Sequence, residues 1–319
     1  MRSSKEHSSL HVINQSVNDL TAEEAFSVFY HNIFDYPLDY SEIVRWTPQK
    51  PPKKHIKIDF KNGFYFISGR EGLIYKREVR KRHSRKKIKI AEKASKIMSH
   101  IPFIKMVGIT GSVAMNNATE DSDIDLIVIT EQGRLWTSRL IVYILLNLLG
   151  FGLRIPKKIV QKDKLCLNIW LDENNLTWKK ERNYYTAHEI LQVKPLINKD
   201  NMYEHWLFKN RWALKFWPNA IGDKKLIKIK ATYSKPNNNF ITVFKKTPGV
   251  SPCDELDADM SSSLTGNPVR ENGQGVIEKN TYKAQLWYMQ KKMTREIVNP
   301  GYAFFHPNNL SKTIVKKYS

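Results

Sequence analysis

The stretch Val107 to Thr130, VGITGSVAMNNATEDSDIDLIVIT, decides how this chain is read, because it sets a Gly-Ser turn and an Asp-x-Asp pair between two apolar runs. The first run, MVGIT, is short and β-prone; the second, DLIVIT, has the unbroken Leu, Ile and Val character of a strand buried on both faces. They read as adjacent strands of one sheet. Gly111 leaves the first strand where the backbone must bend tightly or approach a ligand, and Ser112 adds a hydroxyl beside freed amides, a place for a phosphate. Ten residues separate Ser112 from Asp123. The side-chain period of a strand is two, so Asp123 and Asp125 share a face and Ile124 points to the other. Two carboxylates aimed at one spot repel and raise a pKa. A divalent cation removes the conflict, and Mg²⁺ favours one or two carboxylates together with substrate phosphates.

This segment resembles the signature of the polymerase β-like nucleotidyltransferase superfamily, a Gly-Ser turn followed after about ten residues by Asp-x-Asp. The resemblance implies an α/β (α+β) fold with a small mixed sheet and flanking helices. It also implies transfer of a nucleoside monophosphate from an NTP to an acceptor, with release of pyrophosphate. Residue by residue, Gly111, Ser112 and Ser122 would hold the nucleotide, and Asp123 and Asp125 would be the catalytic metal ligands for Mg²⁺ or Mn²⁺. Gly111, Ser112 and Ala114 fit the pattern Gly-Ser-x-Ala-x-Gly, and Asn116 stands at the last glycine. Asn accepts the left-handed conformation better than other non-Gly residues. The family's third carboxylate lies on a later strand. The matching run here, KLCLNIWL from Lys164 to Leu171, has Asn168 in its middle, and an amide is no general base. Asp163 and Asp172 flank that strand as substitutes. The rival expectation is a catalytically silent nucleotide- or nucleic-acid-binding or regulatory protein on the same fold.

At 319 residues and 41% hydrophobic content the chain has room for two domains with linkers. A formal charge of +21 points to nucleic acid, nucleotide or an anionic membrane surface as partner. Cys166 and Cys253 are the two cysteines, so neither a disulfide framework nor a zinc site is indicated, and a reduced cytoplasm fits best. The apolar run from Leu140 to Leu153 spans 14 residues, too short for a membrane span, and reads as a helix buried behind the sheet.

Working outward, residues 1–20 read as a flexible tail. Thr21 with Glu24, and Asp39 with Glu42, are capping-box patterns that open two short helices. HIKIDF and FYFISG flank Lys61-Asn62-Gly63, a strong hairpin signal. Residues 21–75 thereby resemble a winged-helix module by pattern, although TPQKPPKK leaves little room for a helix that enters DNA. Residues 76–96 form a basic linker or helix, with nine Lys or Arg between Lys76 and Lys89. No aromatics interleave them, which argues against base stacking. The transferase core is expected over 97–183 and a helical segment over 184–221. There Thr186 and Glu189 read as a further capping box, the His188-Glu189 pair as structural, and Trp206, Trp212 and Trp217 as core. Residues 222–280 read as a disordered linker whose Asp254, Glu255, Asp257 and Asp259 are solvated acids, and 281–319 as a returning helical segment in which His306 sits in a turn.

Overall fold

The computed structural model describes residues 20–52, 56–155, 161–222, 275–290, 293, 296–305 and 310–318. Cys253, the four acids from Asp254 to Asp259 and His306 lie outside the described residues.

Both N-terminal capping boxes form. Thr21 Oγ1 accepts from Glu24 N at 3.2 Å while Glu24 Oε2 accepts from Thr21 N at 2.9 Å, opening α1 (Ala22–Asn32). Asp39 and Glu42 do the same for α2 (Tyr40–Arg45). The hairpin β1 (Ile58–Lys61) and β2 (Phe64–Ile67) turns through Asn62 and Gly63, both at positive φ as a tight two-residue turn requires. Among the described residues no helix stands between α2 and β1, so the winged-helix likeness rests on two helices and a hairpin alone. The basic linker is one continuous helix, α3 (Gly72–Met98).

The sequence run MVGIT gives β3 (Ile104–Ile109), followed by the single turn α4 (Gly111–Ala114). DLIVIT gives β4 (Ile124–Thr130), α5 spans Leu135–Leu148, and KLCLNIWL gives β5 (Leu165–Asp172). β3 and β4 pair antiparallel, as expected of adjacent strands; β4 and β5 pair in parallel. The segment 184–221 is not helical throughout. After α6 (Tyr184–Leu191) comes β6 (Lys194–Asn198) on the outer side of β3, and then α7 (Met202–Lys209). The end of the chain adds α8 (Val276–Gln290), a short hairpin of β7 (Ile297–Asn299) and β8 (Tyr302–Phe304) beside β5, and α9 (Leu310–Tyr318). Helix α8 begins within the stretch expected to be linker, so residues 276–280 are ordered helix. The result is a six-stranded mixed sheet in the order β6-β3-β4-β5-β8-β7, with helices on both faces.

Alternation along β4 sorts the two faces. Leu126 and Val128 pack with α3 and α5, whereas Ile127 and Ile129 pack with α1, α6 and α7. The aromatic side chains on the second face knit the N-terminal helices to the rest. Trp46 stacks on His188 at 4.0 Å between centroids, and His31 Nδ1 donates to Ser27 O while its Nε2 meets His188 Nε2 at 3.2 Å. Burial pushes His31 down to about 4 and His188 well below the usual range, so both rings are neutral. Trp206, Trp212 and Trp217 are core, as their spacing suggested.

Helix α5 is buried on one face only; Leu135, Trp136, Val142 and Leu146 point inward, and its outer face is exposed. Arg134 provides no side-chain cap for it. Glu278, fully buried on α8, supplies that function from a distance. Its Oε1 accepts from Trp136 N at 2.7 Å, and its Oε2 accepts from Thr137 N at 2.9 Å and Thr137 Oγ1 at 2.7 Å. A carboxylate at a helix N-terminus satisfies orphan amides and complements the helix dipole. Glu278→Ala is therefore expected to cost about 2–4 kcal/mol in urea unfolding and to expose α8 to protease early. Unchanged stability would show that α8 docks without this cap.

Candidate active site

The turn after β3 depends on Gly111. Its φ is +60°, and an added Cβ would lie 2.7 Å from Asp125 Oδ2. The turn is tied to the neighbouring strand by Thr110 N donating to Asp125 O at 2.9 Å. Asn116 takes the left-handed conformation, φ +57°, as its place in the motif anticipated. Ser112 is the second residue of the turn, and its carbonyl accepts from Asn117 N at 2.8 Å. Ser122 is occupied by its own loop: its Oγ accepts from Thr119 N at 3.0 Å and meets Thr119 Oγ1 at 2.8 Å. Gly111→Ala combines a strained φ with a close approach to Asp125. It should lower divalent-metal affinity by about tenfold or more in calorimetry and destabilise the fold by roughly 1–3 kcal/mol; an alanine protein that binds metal normally would show that Asp125 has room to move.

Asp123 and Asp125 converge as the strand period requires, with ligand atoms of Asp123, Asp125 and Cys166 all within 4.8 Å of one another. Cys166 stands directly across from Asp125 in the parallel β4–β5 ladder. The ladder then shifts register: Leu126 faces Leu167, but Ile127 faces Ile169. Asn168 is the extra residue of this bulge, a device that re-aims a side chain, and its Nδ2 donates to Asp125 Oδ1 at 2.8 Å. Asn168 thus occupies the neighbourhood of the third carboxylate as a hydrogen-bond donor. The flanking acids do not replace it. Asp163 is held by the Nζ of Lys87 at 2.6 Å, and Asp172 is at the far end of β5, opposite Thr130, accepting from Asn174 N and Asn175 Nδ2.

Three further residues gather here that the sequence patterns did not bring to the site. Arg154 places its Nε 3.3 Å from Asp123 Oδ2 and its Nη1 3.3 Å from Cys166 Sγ. Lys87, 1% exposed, spends its ammonium on Glu120 O, Ser122 O and Asp163 Oδ1, pinning the loop that delivers Asp123. Glu189 approaches from α6. The expected capping box does not form with Thr186 as cap; Asn183 is the N-cap and Thr186 its reciprocal partner. Glu189 is therefore in the second turn, with Oε1 accepting from Gln192 Nε2 at 2.6 Å and its carboxyl within reach of the charge of Asp125.

The electrostatics follow from this crowding. Burial, reinforced by the charge of Asp123, pushes Asp125 up to about 7, and burial with the charge of Asp125 pushes Glu189 up to about 8. Burial drives the Cys166 thiol well above its ordinary range, so it stays neutral and is a hydrogen-bond partner of Asp125 more than a thiolate ligand. Two oxygen donors with excess negative charge suit a hard divalent cation.

Residues 76–197 match the family model of the nucleotidyltransferase domain. The match runs from within α3 through the motif strands, β5 and α6 into β6 of the mixed α/β fold. Among curated proteins no match to the chain is found. The nucleotidyltransferase domain supports nucleoside monophosphate transfer from an NTP as the general activity, and its acidic cluster is a candidate metal site.

Proposed function

We propose that the chain is a metal-dependent nucleotidyltransferase that moves a nucleoside monophosphate from an NTP to an acceptor hydroxyl or phosphate, releasing pyrophosphate. The observation that carries this reading is the convergence of Asp123 and Asp125 beside the Gly111 turn. Asp123 and Asp125 would hold Mg²⁺ or Mn²⁺, which supplies charge neutralisation of the attacking and leaving oxygens in an in-line displacement. Gly111 and Ser112 would cradle the triphosphate with backbone amides and a hydroxyl. Arg154, paired to Asp123, would take a phosphate oxygen of the bound nucleotide. Asn168 orients Asp125 through its amide, and Glu189 accepts the proton from the attacking hydroxyl, the task the family gives to a carboxylate on the later strand. Phe26, Tyr30 and Trp46 of the N-terminal helical region pack on the same sheet face as a cover.

The silent-protein alternative is motivated by Asn168, and incubation of the full chain with each α-labelled NTP, Mg²⁺ or Mn²⁺ and fractionated RNA, protein and small molecules separates the two. Label transferred by the parent and not by Asp123→Ala/Asp125→Ala supports transfer and identifies the acceptor class. NTP binding without transfer to any fraction contradicts it.

A further inference from the structure

The helices on the sheet face away from the acid pair carry an outer surface that the transfer reaction does not use. Odd positions of β4 put Asp123 and Asp125 on the face with Ile127, Ile129 and α6, whereas α3 and α5 cover the opposite face with Leu126 and Val128. On that opposite layer, α3 lies over β3, β4 and β6, α5 over β4 and β5, and α8 packs against α5.

Along α3, Arg82, Arg85, Lys86, Lys89, Lys93 and Lys96 are all exposed and recur at three- and four-residue intervals, so they form one stripe about 21 Å long. None of the six makes an ion pair with a described residue. The other Lys and Arg residues of the helix behave differently: Arg77, Arg80 and Lys87 face inward to Glu42, Asp35 and Asp163, and Lys76 and Lys81 pair with Asp35 and Glu78. Next to the stripe, the outer face of α5 is apolar. Ile141, Ile144 and Leu148 share it at helical spacing, Ile144 being 52% exposed and Leu148 77%. On α8, Trp287 and Tyr288 are 72% and 63% exposed.

We propose that this layer is a docking surface for an anionic lipid bilayer, which it meets peripherally. Each component has a counterpart in such a surface. Basic side chains take anionic headgroups, an apolar helix face enters the boundary between headgroups and acyl chains, and Trp and Tyr rest at that interface. A nucleic acid would satisfy the stripe and leave Ile144, Leu148 and Trp287 in water, since such interfaces are polar and charged. A second copy would cover the apolar face while bringing another strongly basic chain, +21 in formal charge, against this one. Among the described residues no helix is long and apolar enough to cross a membrane, so the contact is made by side chains on the surface. The acid pair, on the other face of the sheet, stays open to nucleotide while the layer is docked.

Co-sedimentation of the full chain with phosphatidylcholine vesicles, with and without roughly a third phosphatidylserine, tests this. Binding to the anionic vesicles only, reversed by salt and weakened roughly tenfold or more by Ile144→Ser/Leu148→Ser and by Lys86→Gln/Lys89→Gln/Lys93→Gln, is the expected result. The residues are exposed, so circular dichroism should be unchanged. Should a variant misfold, quenching of fluorescence by brominated lipid in the parent, reduced in Trp287→Phe, reads the same contact. No vesicle binding overturns the proposal, as does binding indifferent to Ile144 and Leu148. Preference for an oligonucleotide over vesicles, or a dimer abolished by the Ile144/Leu148 variant without vesicle binding, also overturns it.

Discussion

Asp125→Asn is expected to lose label transfer by about a thousandfold or more while melting at a higher temperature than the parent at pH 8 in the absence of metal. The two effects have one cause. Asp125 is recessed, beside Asp123, and its pKa is raised from an ordinary 3.8 to about 7. A carboxyl whose folded pKa is raised contributes stability that is complete below its unfolded pKa and is lost as pH rises through the folded value. At pH 8 the parent therefore carries a half-buried, repelled carboxylate, and the isosteric amide relieves it. The carbonyl of Asn at 125 can still accept from Asn168 Nδ2, so the site keeps its packing. Allowing for partial solvent access, the gain is on the order of 1–3 kcal/mol at pH 8 and shrinks steadily below pH 7. His31 and His188 impose the opposite trend, losing stability in acid because their folded pKa values are depressed, but they do so equally in both proteins. The difference between parent and variant melting temperatures isolates Asp125. A gap that is the same at pH 5 and pH 8, or a fully active variant, contradicts this account of the acid pair.

Glu189→Gln should lower kcat by about a hundredfold, with little change in NTP affinity, because a positioned base contributes about 10²–10⁴ to a proton transfer. The carboxyl of Glu189 is pushed up to about 8, first by burial and then by the charge of Asp125. A base must be deprotonated, so the parent's rate should rise with pH through the region of 7 to 8 and then level. The glutamine variant should be slow and lack that rise. Gln192, which donates to Glu189, provides the control: Gln192→Ala removes a hydrogen bond without removing the base, and a structural role for Glu189 would make the two variants alike. A pH–rate profile that keeps its shape in Glu189→Gln would leave proton transfer to another group.

What was legible in the sequence was what local periodicity encodes. The two strands of the motif, the side-chain alternation that aims Asp123 and Asp125 at one place, the left-handed Asn116, the first two capping boxes and the Asn-Gly hairpin are each determined within a few residues. What stayed hidden depends on partners remote in sequence. β6 and the β7–β8 hairpin are short, and LINK-like or NPG-like stretches show little alternation until a neighbouring strand supplies their hydrogen bonds. Glu189 looked structural because His188 and Glu189 do not share a helix face. Structure separates them in that way: His188 packs into the aromatic cluster with Trp46 and His31, while Glu189 accepts from Gln192 and feels the charge of Asp125. Placing the N-cap at Thr186 rather than Asn183 also assigned the Glu189 carboxyl to capping, which concealed its availability. Lys87 and Arg77 were lost in a run of like charge, where only burial distinguishes an anchoring cation from a solvated one. The outer face of α5 was read as buried because apolar content alone cannot tell a helix enclosed on all sides from one with a bare face.

The central claim is that Asp123 and Asp125 serve transfer of the nucleoside monophosphate. Parallel reactions with α-labelled and γ-labelled NTP, with pyrophosphate measured in the same samples, address it most directly. The account predicts acceptor labelled from the α position alone, one pyrophosphate for each label, dependence on Mg²⁺ or Mn²⁺, and loss of both products in Asp123→Ala/Asp125→Ala. Label arriving from the γ position, or transfer that survives loss of both carboxylates, would contradict it.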